Sequence, residues 1–266
     1  MKLWLRLFAL AMFTSIAAVS IAQPAHAEST LDKILKEKKL RVAIDVGNPP
    51  FGILDKDGQP DGSDVAVARQ MAKDMGVELE FVQVPSTGRI PALLAGRADV
   101  TIASISVTTD RAKAVMYCHP DGALSIVVFG PQGVAVKTPA DLAGKRIGIT
   151  RATLEEATVP KMAPAGTNIV WFDEIGATIQ ALLSGQVDAA AMSSFAAKTV
   201  EDGNPDKKIE TKLNVTTAYY APIVRHGDFE LQQWINTWIF INTQNGVLAT
   251  LYKKYTGVDL PPLPIF

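Results

Sequence analysis

The chain has 266 residues, with 26 Lys and Arg against 27 Asp and Glu, a formal net charge of −1. That balance offers no basic face to a polyanion and argues against a nucleic-acid partner. A single cysteine excludes an internal disulfide, and Cys118, in the apolar run Val115-Met116-Tyr117-Cys118, reads as a buried, inert thiol.

Lys2 and Arg6 open the chain, an apolar run follows from Leu7 to Ala22, and Ala25-His26-Ala27 supplies a small-x-small pattern. Together these read as a secretory signal peptide cleaved after Ala27, since the run is too short and wrongly flanked for an anchor. The expected mature chain starts at Glu28 and is exported to the periplasm. Its roughly 240 residues suit two modest lobes or one large domain.

Leu31 to Lys39 has the pattern of a short amphipathic helix, and Leu40 to Ile44 that of a strand ending at Asp45. Two prolines make Val46 to Phe51 a loop. Asp55-Lys56-Asp57-Gly58 is a hairpin turn; its acids do not make a calcium loop, because Gln59-Pro60 breaks the ligand spacing and no Glu closes it. Ser63-Asp64 caps a predicted helix that runs to Met75 and stops at Gly76. A strand over Glu78 to Val84, a loop at Pro85 to Gly88 and a helix over Arg89 to Ala95 come next. Val100 to Ala103 is then a short buried strand, and Thr109 to Met116 is helix-like.

The second half repeats this grammar. Thr138-Pro139 opens a short helix with proline at its first position, and Lys145 to Ile149 is a strand. Thr153-Leu154-Glu155-Glu156 has capping-box spacing. Asn168 to Phe172 is a strand, Glu174 to Ser184 a helix, and Val187 to Met192 a strand. Ala218 to Val224 is strand-like; Asp228 to Gln244 is a helix with Leu231, Trp234, Ile235, Trp238 and Ile241 expected inward. Gly246 to Tyr255 is the last helix. Alternating strands and helices place the chain in the α/β class.

An internal echo organises the whole. Ile90-Pro91-Ala92-Leu93-Leu94-Ala95-Gly96-Arg97-Ala98-Asp99 leads to a strand ending at Ser104, and Ile179-Gln180-Ala181-Leu182-Leu183-Ser184-Gly185-Gln186-Val187-Asp188 leads to one ending at Ser193. One long spacing does not make a solenoid; it fits two similar lobes whose strand ends face one cleft. Ligands in open α/β sheets bind beyond the carboxyl ends of strands. Ser104-Ile105-Ser106 lies at such an end, and Arg111 follows with a planar fork suited to a carboxylate.

With these segments in this order, the chain resembles the family 3 extracellular solute-binding proteins of ABC-type importers, the amino-acid-binding group. The marks are Leu40-Arg41-Val42 to Asp45, Pro49-Pro50-Phe51, Gly62-Ser63-Asp64-Val65-Ala66, Arg89-Ile90-Pro91-Ala92-Leu93, Ser104 through Arg111, Asp141 through Gly148, Leu183 through Asp188 and Asn245-Gly246-Val247-Leu248. The resemblance implies a two-lobed periplasmic-binding-protein fold of type II. Residues 28–122 and 223–266 would form one lobe and 123–222 the other, closing on ligand about a two-segment hinge. It implies a monomer without cofactor or bound metal, which captures an amino acid or related small carboxylate and delivers it to a membrane permease.

Position by position, Arg111 matches the arginine that clamps the ligand carboxylate, Ser104 a backbone contact and Ser106 the hydroxyl beside the clamp. Thr153 matches the hydroxyl at a helix start in lobe two, where free N–H groups favour an anion, and Asp45 an acid near the ligand. Three further ligand-facing positions depart from the pattern. Ser193 stands where the family has an Asp for the α-ammonium, Asn48 where an aromatic is common, and Ser86 where a large residue is common. Arg89 and Arg151 near the cleft ends could meet a second acidic group, or Glu155 and Asp173 could hold an ammonium; the sequence leaves these open.

Two other functions stay open. Cyclohexadienyl dehydratases resemble this family, but where they carry a Glu this chain reads Ser194-Phe195-Ala196-Ala197, a poor start for proton transfer. A sensory ligand-binding domain is the third possibility. His26, His119 and His226 show no metal-ligand spacing.

Overall fold

The structure is a computed structural model that describes residues 28–265. The expected signal peptide and its cleavage site lie on residues 1–27, outside the described residues.

Two five-stranded sheets form the frame. In the first, β1 (Lys39–Ile44) pairs in parallel with β4 (Glu78–Gln83), from Lys39 opposite Glu78 to Ile44 opposite Gln83, and with the short β5 (Val100–Thr101). The short strands β6 (Met116–Tyr117) and β12 (Ile223–Val224) complete it in the order β4-β1-β5-β12-β6. A small hairpin of β2 (Ile53–Leu54) and β3 (Pro60–Asp61) hangs beside it. In the second sheet, β8 (Arg146–Thr150) runs parallel to β9 (Asn168–Phe172) and β10 (Ala189–Ser193), while β7 (Gly122–Pro131) and β11 (Ile209–Tyr220) are antiparallel additions, in the order β11-β7-β10-β8-β9.

Apolar spacing decides which helix faces are buried. Helices α1 (Thr30–Glu37), α2 (Ser63–Met75), α7 (Phe229–Gln244) and α8 (Val247–Thr256) supply Ile34, Met71, Ile235, Trp238 and Leu248 to one core with Val42 and Val100 of the first sheet. α3 (Arg89–Leu94) packs Leu93 beside Ile105 and Ile223. Around the second sheet, α5 (Ile175–Leu183) and α6 (Ser194–Gly203) cover one face, and Val159 of α4 (Leu154–Met162) packs on the other with Ile147 and Ile149.

The chain passes between sheets twice, from β6 to β7 and from β11 to β12, and the two crossings lie side by side. Tyr220 pairs with Gly122 at the end of the β7–β11 ladder, and the Asp121 amide donates to the Tyr220 carbonyl at 3.2 Å. Tyr220, Phe51 and Phe195 meet edge-to-face at 5.5 and 5.9 Å between ring centres, so aromatic packing joins the lobes beside the crossings.

The echo becomes a shared ion-pair motif. Asp99 accepts from the Arg41 amide at 2.9 Å and from its Nη2 at 2.6 Å; Asp188 accepts from the Arg146 amide at 2.7 Å and from its Nη2 at 2.6 Å. Each arginine also donates to the carbonyl of the glycine that ends the preceding helix, Gly96 or Gly185.

Several expectations are corrected. Residues 109–116 make no α-helix: a single 3-10 turn spans Arg111–Lys113, and Met116 and Tyr117 are drawn into β6 by pairing with β12. Gly62, at φ 124°, is the N-cap of α2, so Ser63 and Asp64 fall inside its first turn, buried. The Thr153 box is half formed: Thr153 Oγ accepts from the Glu156 amide, but the Glu156 carboxylate takes the Ala152 amide instead of the cap's own. Ile241 is 53% exposed; the inner face of α7 runs through Leu231, Ile235, Trp238, Ile239 and Asn242, whose amide donates to the Trp238 carbonyl. Strand β7 and most of β11 escaped prediction, because β7 is apolar on both faces and β11 is polar and bulged.

Candidate functional site

Between the sheets lies a narrow cavity walled by Asn48, Ser104, Ser106, Arg89 and Arg111 from the first lobe. Thr153, Leu154, Glu155, Ile175 and Ser193 face them from the second, with Leu124 and Ile126 of β7 as an apolar floor. Its free space, about 30 Å³, holds roughly two waters. Six of the eight sequence-predicted positions are therefore brought together: Arg111, Ser104, Ser106, Thr153, Ser193 and Asn48.

Each is positioned by local structure. Ser104 follows β5 with φ 46°, a left-handed turn uncommon outside glycine, and its hydroxyl accepts from Asn48 Nδ2 at 2.9 Å. Arg111 sits in the 3-10 turn; its Nη1 donates to the Ser106 carbonyl at 3.0 Å and its Nη2 crosses the cleft to the Ala152 carbonyl at 2.8 Å. Three of its five N–H groups stay available. Tyr117 Oη donates to the same Ser106 carbonyl at 2.9 Å, so the clamp rests on a braced loop.

Thr153 and Ser193 are the N-caps of α4 and α6, with Ser193 Oγ accepting from the Ala196 amide at 3.1 Å. Two helix N-termini, each an end of positive partial charge, thus border the cavity from lobe two.

Asp45 and Ser86 stand apart from the cavity wall. Ser86 Oγ donates to one Asp45 oxygen at 2.6 Å and the Gly47 amide to the other at 3.0 Å, and Asp45 lines a neighbouring recess with Glu174 and Gly176. Each of its oxygens thus accepts a bond from a neighbouring loop residue.

The alternatives left open by sequence separate by burial. Arg151 pairs with Asp173 at 3.4 Å and lies over Trp171 at the surface. Arg89 is 4% exposed and lines the cavity. Its Nε donates to the Ser86 carbonyl at 3.0 Å, Nη1 to the Ala103 carbonyl at 3.0 Å and Nη2 across the cleft to the Ala152 carbonyl at 2.9 Å. Burial pulls its pKa down, opposed by Asp45 and Glu155, and the guanidinium remains a cation. Glu155 is buried against the same cavity; desolvation pushes its carboxyl above the usual range, while hydrogen bonding and the two guanidiniums pull it back. Ala152, at φ 59°, presents one carbonyl to both arginines.

No helix among the described residues is long and apolar enough to cross a membrane. Two α/β lobes, linked by two strands and closed over a polar cavity, define a cleft-binding protein. The chain belongs to the bacterial extracellular solute-binding proteins, family 3, whose model matches residues 40–258. It is 26% identical to the L-arginine-binding protein of Pseudomonas aeruginosa, over 87% of this chain and 93% of that one. The L-cystine-binding protein TcyJ of Escherichia coli is 27% identical over 92% of each. Among solved structures, an ancestral arginine-binding protein bound to arginine superposes with a TM-score of 0.79 at 31% identity, covering 82% of this chain and 98% of that chain. An ancestral amino-acid-binding protein, a precursor of cyclohexadienyl dehydratase, gives a TM-score of 0.79 at 29% identity, over 86% of this chain and 100% of its own.

Proposed function

We propose that this protein is a periplasmic solute-binding receptor of an ABC importer, which captures an amino acid or related small carboxylate and hands it to a membrane permease. Residues 28–122 with 223–266 would act as one jaw and 123–222 as the other, swinging about the paired crossings. The observation that carries the reading is Arg111, braced by the Ser106 carbonyl with three donors to spare and facing the helix start at Thr153. A ligand carboxylate between them gains charge-assisted bonds from one lobe and helix N–H groups from the other, so it joins the jaws. The role needs no bond making: Ser194 to Ala197 carry no acid, and Glu155 is the one carboxyl in the described wall.

The test is a thermal-shift screen against amino acids and small organic acids, since a ligand that binds only the folded state raises Tm. Arg111→Met should abolish the shift given by whichever compound stabilises the parent. An unchanged shift in that variant would refute the clamp, and turnover of prephenate or arogenate would replace the receptor reading with an enzyme.

A further inference from the structure

We infer that the solute held in this cleft is a small organic anion, one or two carboxylates without an ammonium group. The inference rests on the receptor reading above and deepens it. The charge inventory of the wall is unequal: two guanidiniums, Arg89 and Arg111, face one carboxyl, Glu155. The N-terminal ends of α4 and α6, capped at Thr153 and Ser193, add positive potential from the opposite side. Asp45 lies outside the wall, bonded to Ser86 and the Gly47 amide, and its charge offsets part of that on Arg89, while Arg111 and the two helix ends keep the cavity face positive.

An ammonium is held best by charged acceptors, and Glu155 is the one carboxyl in the described wall. Ser193 Oγ and Ser104 Oγ, each already accepting one bond, and Asn48 Oδ1 offer only neutral lone pairs. The Ser106 carbonyl already accepts from Arg111 and Tyr117, the Ala152 carbonyl from both arginines, and the Ala103 carbonyl from Arg89. Glu155 remains, but an ammonium there would lie beside two guanidiniums in a desolvated space, where like charges repel strongly. A carboxylate meets the reverse situation, with spare donors on Arg111 and on Arg89, which uses three of its five N–H groups.

Matched pairs that differ in the ammonium test this directly: lactate against alanine, succinate against aspartate, glutarate against glutamate, each titrated calorimetrically into the purified protein. The expected result is that at least one ammonium-free acid binds at least tenfold tighter than its amino-acid partner. An amino acid that binds as tightly as its partner, or more tightly, overturns the inference and leaves the receptor reading standing; a protein that binds none of these or the other standard amino acids overturns both. The second arm is Ser193→Asp, which adds a carboxylate to the wall while keeping a good N-cap for α6. It should weaken the favoured acid at least tenfold, with an unaltered unfolding midpoint reporting an intact fold. Unchanged affinity in a folded S193D protein would also overturn the inference.

Discussion

Arg89 and Arg151 read alike in the sequence, each an arginine near a predicted cleft end, and they do different work. Arg151 lies at the surface with Asp173, whereas Arg89 is buried and holds three backbone carbonyls from both lobes. Replacing Arg89 by Lys should cost about 3 kcal/mol in urea unfolding, because a single ammonium cannot serve three planar acceptors and buried carbonyls are left unpaired. Across the cleft, Ala152 holds φ 59° so that its carbonyl meets both guanidiniums. An alanine in that region pays about 1–2 kcal/mol, and glycine returns part of it as extra unfolded-state entropy. Ala152→Gly should therefore raise stability by about 0.5 kcal/mol, and a lower unfolding midpoint would show that this turn is unstrained.

At the scale of elements, the echoed helix–Gly–Asp–strand unit fastens each sheet in the same way, but the two copies differ in exposure. The Asp99 side chain is 3% exposed and the Asp188 side chain 32%. Removing one partner of a buried pair strands a charge and costs about 3 kcal/mol or more, while a partly solvated pair is worth about 1 kcal/mol. Asp99→Ala should thus destabilise well beyond Asp188→Ala in parallel urea titrations; equal losses would contradict the burial argument. The echo was readable because it is local pattern. Its partner arginines, 58 and 42 residues away, were not. Similarly, β6 overrode a helix-like sequence because its backbone groups found β12.

At the scale of the whole molecule, a cluster of buried acids lies beside the two crossings. Asp64 and Asp121 face a small space with Ser63, Tyr220 and Tyr252, and the Ser63 hydroxyl and one Asp121 oxygen have no hydrogen-bond partner among the described residues. Burial pushes Asp64 up to about 7 and Asp121 well above the carboxylate range. Unfolded, both titrate near about 3.9, so between that pH and 7 the folded state binds more protons. Stability therefore falls as pH rises through this window, by at most about 1.4 kcal/mol per pH unit for each group. Asp188, held low by its bond to Arg146, acts oppositely, its contribution fading below the ordinary carboxylate range. Urea midpoints at pH 5, 6, 7 and 8 should decline, and Asp64→Asn should flatten the trend; a flat profile in the parent would refute it.

Sequence alone determined the α/β class, the helix and strand alternation and the doubled unit, because these are written in periodicity, caps and glycine stops that act within a few residues. Arg111, Ser104, Ser106 and Ser193 were legible as positions at strand ends, whereas Thr153 and Asn48 were marked as ligand-facing only by the family resemblance. Tertiary structure alone decided which charged groups face the cavity. Arg89 and Glu155 line it, Arg151 and Asp173 do not, and Asp45 bonds Ser86 outside it. The reason is physical: a side chain's charge is a property of its residue type, but its burial and its partners are set by chain segments that meet only after the lobes have folded against each other.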